Sequence, residues 1–181
     1  MSKTVAVIGA GVSGYGVAIL ANKKGYDVFV SDKNKISNDF KKIFLQNNIA
    51  WEEGKHSIKK LLKVNEVIKS PGIPTNTKEL KAIKANNIPI LSEVEFAFRY
   101  SNAKIVSITG SNGKTTTSLL LGHILKNAGL DVLIAGNIGV SFALSISERD
   151  YKYIVLELSS FQLDDIKNFR SDIAIISVSY T

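Results

Sequence analysis

Short apolar runs rich in valine and isoleucine alternate along the chain with segments whose apolar positions recur at helical spacing. The runs cover residues 5–9, 28–31, 64–69, 105–109, 132–135, 154–158 and 173–178. Each is apolar on both faces, which predicts strands buried in a parallel sheet. Strands alternating with helices predict βαβ units and an α/β fold.

Two segments follow one plan. Residues 3–32 and 104–136 each read as strand, glycine loop, helix, Gly-x-Asp-Val, strand. Gly25 and Gly129 fit the left-handed position after a helix C-terminus. Two phosphate-type loops imply two nucleotide-binding units. Between them, Ser70-Pro71-Gly72-Ile73-Pro74 is a turn that neither a strand nor a helix can continue. A helix over 77–87 with Thr77 as N-cap follows, then a short strand over 89–91. Ser92-Glu93-Val94-Glu95 opens another helix. The boundary falls near 92–103. It separates a Rossmann-like parallel-sheet domain, residues 1–92, from an incomplete P-loop α/β domain, residues 93–181. The second unit ends in or just after a buried strand. It is expected to be part of a longer protein and marginal by itself.

Composition narrows the picture. With 181 residues, 45% hydrophobic and 22% charged, the chain is globular, not disordered. No apolar run approaches the roughly 18 residues that span a bilayer, and the apolar stretch over residues 5–10 is too short for a signal segment, so none is expected. Membrane association is not expected, and a cytoplasmic location is. The absence of cysteine excludes disulfides, thiolate metal sites and a thiol nucleophile. The net charge of +7 suits anionic partners. It comes mostly from dispersed lysines, with arginine only at Arg99, Arg149 and Arg170, and no nucleic-acid-reading motif accompanies it. Nucleic acid is therefore not an expected partner.

Four motifs carry chemistry. Gly110-Ser111-Asn112-Gly113-Lys114-Thr115-Thr116 follows a predicted strand and opens a helix carrying Leu119, Leu120, Leu121, Ile124 and Leu125. This is P-loop context: backbone N–H groups turn inward on phosphates, Lys114 reaches the β- and γ-phosphates, and the Thr115 hydroxyl can ligate Mg²⁺. The usual first glycine is replaced by Ile108. Gly9-Ala10-Gly11-Val12-Ser13-Gly14 matches G-x-G-x-x-G, with Asp32 at the end of the next strand in the ribose-binding position. The glycines read a pyrophosphate and leave open whether it belongs to NAD or to another nucleotide. Glu157 ends a buried strand, where a carboxylate is costly unless paired or bound to a metal. Gly136-Asn137-Ile138-Gly139 puts Asn137 at another strand end. His56, His123, Trp51 and Asp164-Asp165 read as packing or solvated residues.

Taken together, these residues resemble the Mur ligase family. Residues 109–116 are similar to its ATP loop. Gly136-Asn-Ile-Gly139 and Glu157-Leu-Ser-Ser-Phe-Gln-Leu163 are similar to its D-glutamate-adding branch, and Ser70-Pro-Gly-Ile73 and Ser92-Glu-Val-Glu95 agree in order. The resemblance covers a first domain and about half of the central ATPase domain. It implies that the first loop holds a UDP-sugar, not NAD. Val12, Ser13 and Gly14 would face the diphosphate and Asp32 and Lys33 the uracil. Gly72 and Asn137 would lie further along, with Ser159 near the muramoyl end. Lys114 would bind ATP phosphates, and Thr115 and Glu157 would hold Mg²⁺. The implied reaction joins D-glutamate to UDP-N-acetylmuramoyl-L-alanine through an acyl phosphate, in an enzyme monomeric at full length. Ser177 stands near the family's Asn, and Thr181 stands where an acidic residue is expected. The 181 residues alone are expected to lack ligase activity. An NAD-dependent oxidoreductase and a non-catalytic nucleotide-binding module are the alternatives.

Overall fold

A computed structural model describes residues 3–178. The first sheet holds β1 (Thr4–Ile8), β2 (Asp27–Asp32), β3 (Ala50–Glu53), β4 (Glu66–Lys69) and β5 (Ile90–Ser92), all parallel, in the order β3-β2-β1-β4-β5. Its connecting helices are α1 (Val12–Lys23), α2 (Asn38–Gln46), α3 (Ile58–Leu61) and α4 (Lys78–Ala85). Helix α5 (Glu93–Phe98) leads to a second parallel sheet of β6 (Lys104–Gly110), β7 (Val132–Gly136), β8 (Tyr153–Glu157) and β9 (Ile173–Ser177), ordered β7-β8-β6-β9. Helices α6 (Lys114–Asn127), α7 (Phe142–Glu148) and α8 (Ser160–Leu163) join its strands. The α/β class with parallel sheets is as the apolar runs predict. No described helix is long and apolar enough to cross a membrane.

Local chemistry accounts for the element ends. Gly25 and Gly129 adopt positive φ, +81° and +76°, after α1 and α6. The following N–H groups of Tyr26 and Leu130 return to Ala21 O and Leu125 O. Thr77 caps α4 by accepting from Leu80 N, and Ser92 caps α5 by accepting from Glu95 N. Helix α4 stops at Ala85, short of the expected 87, because Asn87 takes a left-handed φ of +54°.

Two strand readings need correction. Strand β3 was not expected: Ala50-Trp51-Glu52-Glu53 is short and half charged, and only its place at the sheet edge makes it a strand. Strand β9 is not buried. It is the edge of the second sheet, with Ile173 56% and Ile176 73% exposed. Likewise Leu119, Leu120 and Ile124 of α6 are exposed, and the helix lies against Ile134 through Gly122.

Helix α1 is buried on most sides. Val17, Ala18, Ile19, Leu20 and Ala21 are all buried, because α1 packs on the first sheet and also against α7 of the second unit. Gly16 makes the helix contact possible. A Cβ there would lie 2.2 Å from Ser141 Oγ and 2.9 Å from Leu144 N. Buried Glu93 braces the joint, its Oε1 accepting from Ser141 Oγ at 2.6 Å. Core residues of both units, such as Val17, Phe96 and Phe142, form one continuous cluster.

Two further buried charges cross between the units. Glu95 accepts from the backbone N–H groups of Lys167, Asn168 and Phe169 at 2.9, 3.0 and 2.9 Å, and from Asn168 Nδ2 at 3.2 Å. Burial pushes its carboxyl up, but these hydrogen bonds outweigh burial and hold it below the usual range. Lys69, only 3% exposed, pairs with Asp165 at 2.9 Å and donates to Ile73 O at 3.1 Å. The solvated reading of Asp165 is thus overturned: the turn that follows α8 sets it against a buried ammonium.

Two outcomes are expected. Gly16→Val should lower stability by about 1–3 kcal/mol by overpacking the α1–α7 contact, while Gly72→Ala, with open space around it, should stay within about 0.5 kcal/mol. Urea denaturation of both variants checks this. The depressed carboxyl of Glu95 contributes stability that is present above the unfolded carboxyl value, near about 4.3, and lost as pH falls through the lower folded value. Urea midpoints measured from pH 7 to pH 3 should therefore fall with acid in the wild type and fall less in Glu95→Gln.

Candidate functional site

Parallel strands deliver all their C-terminal ends to one edge, and the loops there form the site. The loop after β1 wraps tightly. A Cβ on Gly14 would sit 1.8 Å from Gly9 O, so the helix can start this close only with glycine. Gly9 N donates to Ser31 O and Ala10 N to Asp32 Oδ2, at 2.9 and 2.6 Å. The first turn of α1 has no side-chain cap and no acidic residue. Its N–H groups and the helix dipole therefore favour an anion, by about 0.3–1 kcal/mol per favourable charge.

A cleft of about 1050 Å³ opens in front of this turn. Gly9, Gly11 and Ser13 line one side, Asp32, Lys33 and His56 another, and the Ser70–Pro74 turn with Gly72 the third. The Asp32 carboxylate is already engaged: Oδ2 holds Ala10 N and Oδ1 accepts from Asn34 N at 2.7 Å. It shapes the glycine loop as well as lining the cleft.

The second loop lies between β6 and α6. Gly113 is its left-handed N-cap, at φ +78°. Lys114 Nζ donates to Gly110 O at 2.7 Å and Ser111 O at 3.2 Å, folding over the loop. Ser111, Asn112, Thr115 and Thr116 are exposed, and the first turn of α6 carries no acid. Ser177 stands opposite Gly110 in the β6–β9 pairing. Thr181 lies outside the described residues.

Glu157 ends β8 beside both neighbours, opposite Ile108 of β6 and Gly136 of β7. It is 1% exposed. Oε1 accepts from Asn137 Nδ2 at 2.9 Å, while Oε2 is buried without a hydrogen-bond partner. An ionised oxygen in that condition is costly, and a cation would satisfy it. The unpartnered carboxylate oxygen fits a hard cation such as Mg²⁺, and the Thr115 hydroxyl is exposed at the start of α6. Among the described residues no group of three or more His, Cys, Asp or Glu could hold a metal unaided. Phosphate and water oxygens would have to complete the shell, as is usual for Mg²⁺.

A groove of about 280 Å³ joins the two halves. Val12 and Ser13 face Asn137, Gly139 and Gln162 across it. Ser159 serves a local purpose: its hydroxyl and backbone form a capping box with Gln162 at the start of α8. His123 is exposed on α6 beside Asn127, and Trp51 packs near Phe44, both as expected. His56 departs from the bland reading, since it lines the cleft and bonds to buried Ser31. His56, Lys69 and Asp165 carry no motif, and the Ser92–Glu95 string reads only as a helix start, not as a pair of buried acids. Each acquires its partner only when distant segments meet.

Residues 3–92 match the family described as Mur ligase MurD-like, N-terminal domain, and residues 108–178 match the Mur ligase middle domain. The chain is 52% identical over 174 residues to a UDP-N-acetylmuramoylalanine–D-glutamate ligase of Bacteroides fragilis, covering 96% of this chain and 39% of the relative. It is 45% identical over 177 residues to the ligase of that name from Christiangramia forsetii, covering 98% of this chain and 40% of the relative. The chain thus spans about two fifths of the length of these curated relatives. Among solved structures, the Neisseria meningitides UDP-N-acetylmuramate:L-alanyl-gamma-D-glutamyl-meso-diaminopimelate ligase aligns with a TM-score of 0.62 at 18% identity, over 98% of this chain and 61% of that one. A pseudomurein peptide ligase type C from Methanothermus fervidus aligns at 0.52 and 29% identity, over 88% of this chain and 33% of that one. With the two domain matches in tandem on a pair of parallel sheets, the chain belongs to the Mur ligase family.

Proposed function

We propose that this chain supplies the UDP-sugar and ATP loops of a ligase that joins D-glutamate to UDP-N-acetylmuramoyl-L-alanine. Residues 1–92 form the UDP-sugar domain, and residues 93–181 the first part of the ATPase domain. The observation that carries the reading is Glu157: a buried carboxylate with one unpaired oxygen, beside the strand that feeds the P-loop, and tied through Asn137 to the groove reaching Ser13. This is where a substrate carboxylate held from the first domain would have to meet a nucleoside triphosphate.

The residues divide the work. The diphosphate sits on the N–H groups of Val12, Ser13 and Gly14, with the uracil toward Asp32 and Lys33. The sugar runs past Gly72 toward Asn137 and Ser159. The loop Gly110–Thr116 cradles the triphosphate, and Lys114 leaves the Gly110 and Ser111 carbonyls for phosphate oxygens. Bound Mg²⁺, held by Thr115 and Glu157, would neutralise charge on the transferring phosphoryl group. The substrate carboxylate attacks the γ-phosphate to give an acyl phosphate and ADP; the amine of D-glutamate then displaces phosphate. Two anions must approach, so fixed positive charge and aligned N–H dipoles are the main demand on the protein. A cytoplasmic enzyme, monomeric at full length, belongs to the same proposal.

Calorimetric titration of the chain tests it. UDP-N-acetylmuramoyl-L-alanine should bind saturably and NAD should not; the reverse would return the first loop to an ordinary dinucleotide site. Asp32→Ala should weaken UDP-sugar binding by about tenfold, the equivalent of one charged hydrogen bond, and lower stability by releasing Ala10 N–H. Lys114→Ala should weaken Mg-ATP binding at least about tenfold while UDP-sugar affinity stays unchanged. Equal loss of both ligands would count against two separate loops.

A further inference from the structure

The wall of the large cleft contains a hydrogen-bonded chain that the reading above leaves unused. Ser31, at the C-terminal end of β2, is fully buried. Its Oγ donates to Glu52 Oε1 at 2.9 Å. Burial pushes the Glu52 carboxyl up, but hydrogen bonds from Ser57 and Ser31 and the charge of Lys60 outweigh it and hold it low. Glu52 is then ionised at neutral pH and can only accept. A serine hydroxyl has one proton to give. Once Ser31 gives it to Glu52, its oxygen can only accept from His56 Nδ1, which lies 2.8 Å away. The Nδ1 atom therefore carries the hydrogen of the neutral ring, and Nε2 is left as a bare acceptor.

Direction follows from ring geometry. The two imidazole nitrogens point roughly opposite ways, so turning Nδ1 onto buried Ser31 turns Nε2 outward. His56 lines the cleft together with Asp32, Lys33 and Asn34, the wall assigned to the base. Both oxygens of Asp32 already hold backbone N–H groups. Lys33 offers only donors. The Asn34 amide can turn either its oxygen or its NH₂ toward a base and so does not discriminate, whereas His56 Nε2 is held as an acceptor by the Ser31 bond at Nδ1.

We propose that His56 is a specificity-determining residue that reads the nucleobase, its Nε2 accepting the N3–H of uracil. Cytosine presents a lone pair at N3 and would oppose Nε2 with a second acceptor. The cleft then selects uridine over cytidine nucleotides of the same charge. This rests on the uridine-nucleotide reading of the cleft and adds the group that discriminates the base.

The test is calorimetric titration of the 181-residue chain and its His56→Ala variant with UDP, CDP and N3-methyl-UDP. The three ligands share their phosphates and differ at N3. The wild type should bind UDP about tenfold tighter than either analogue, the scale of one buried hydrogen bond with its unpaired partner. The variant should bind all three within about twofold, at the analogues' level. Equal binding of UDP and N3-methyl-UDP by the wild type would overturn the proposal without reference to any variant. Undiminished preference for UDP in a folded His56→Ala protein would also overturn it. Failure of the wild type to bind UDP at all would overturn the uridine reading itself, and this inference with it.

Discussion

Helix α1 begins at the glycine loop of the first sheet, and α7 begins just after the Gly136–Gly139 turn of the second. Where these two helices touch, the two sites are set relative to each other. The contact requires that position 16 carry no side chain, because Ser141 and the Leu144 N–H occupy that space. Glu93 then fixes Ser141 from a third element. With the helices in place, Ser13 and Asn137 face one groove and need no flexible linker to bring them together. Close-packed helices have few alternative registers, so the spacing between the glycine loop after β1 and the strand end at Glu157 follows from packing.

Buried carboxylates divide into two kinds here. Glu95 and Glu93 are satisfied within the protein, one by three backbone N–H groups and the other by a serine hydroxyl and a more distant amide. Both serve the junction between the units. Glu157 is equally buried, and its Oε2 lacks both a hydrogen bond and the lysine that the similarly unbonded oxygens of Glu52 and Asp165 have in Lys60 and Lys69, among the described residues. Desolvation disfavours an ionised oxygen left in that condition, so the fold carries a cost at one strand end that a bound cation would relieve. The contrast between these acids, more than burial itself, marks Glu157 as the carboxylate that a cation would suit.

Much of the architecture was legible from periodicity alone. Runs apolar on both faces marked the strands, glycines after helices marked the returns, and two glycine loops between strand and helix marked the sites. These signals are local: a left-handed turn or a tight strand-to-helix corner constrains residue type within a few positions. Strand β3 escaped because two of its four residues are charged and its pairing with β2 is decided by the sheet. Strand β9 misled in the opposite sense, since an apolar run at a sheet edge reads like one in the middle.

The amino-acid sequence by itself determined the α/β class and the two glycine loops between strand and helix, and it singled out Asp32, Lys114, Thr115 and Glu157 as candidates for chemistry. Only the tertiary structure decided what each touches. It engages Asp32 with Ala10 and Asn34, uses Ser159 as a helix cap and pairs half-buried Asp165 with buried Lys69. It also turns His56 from an unremarkable loop residue into a member of the cleft wall. Spacing along the chain encodes turns and helix faces, whereas a hydrogen bond between Ser31 and His56 depends on two parallel strands lying side by side. That adjacency is set by sheet order, which no local pattern records.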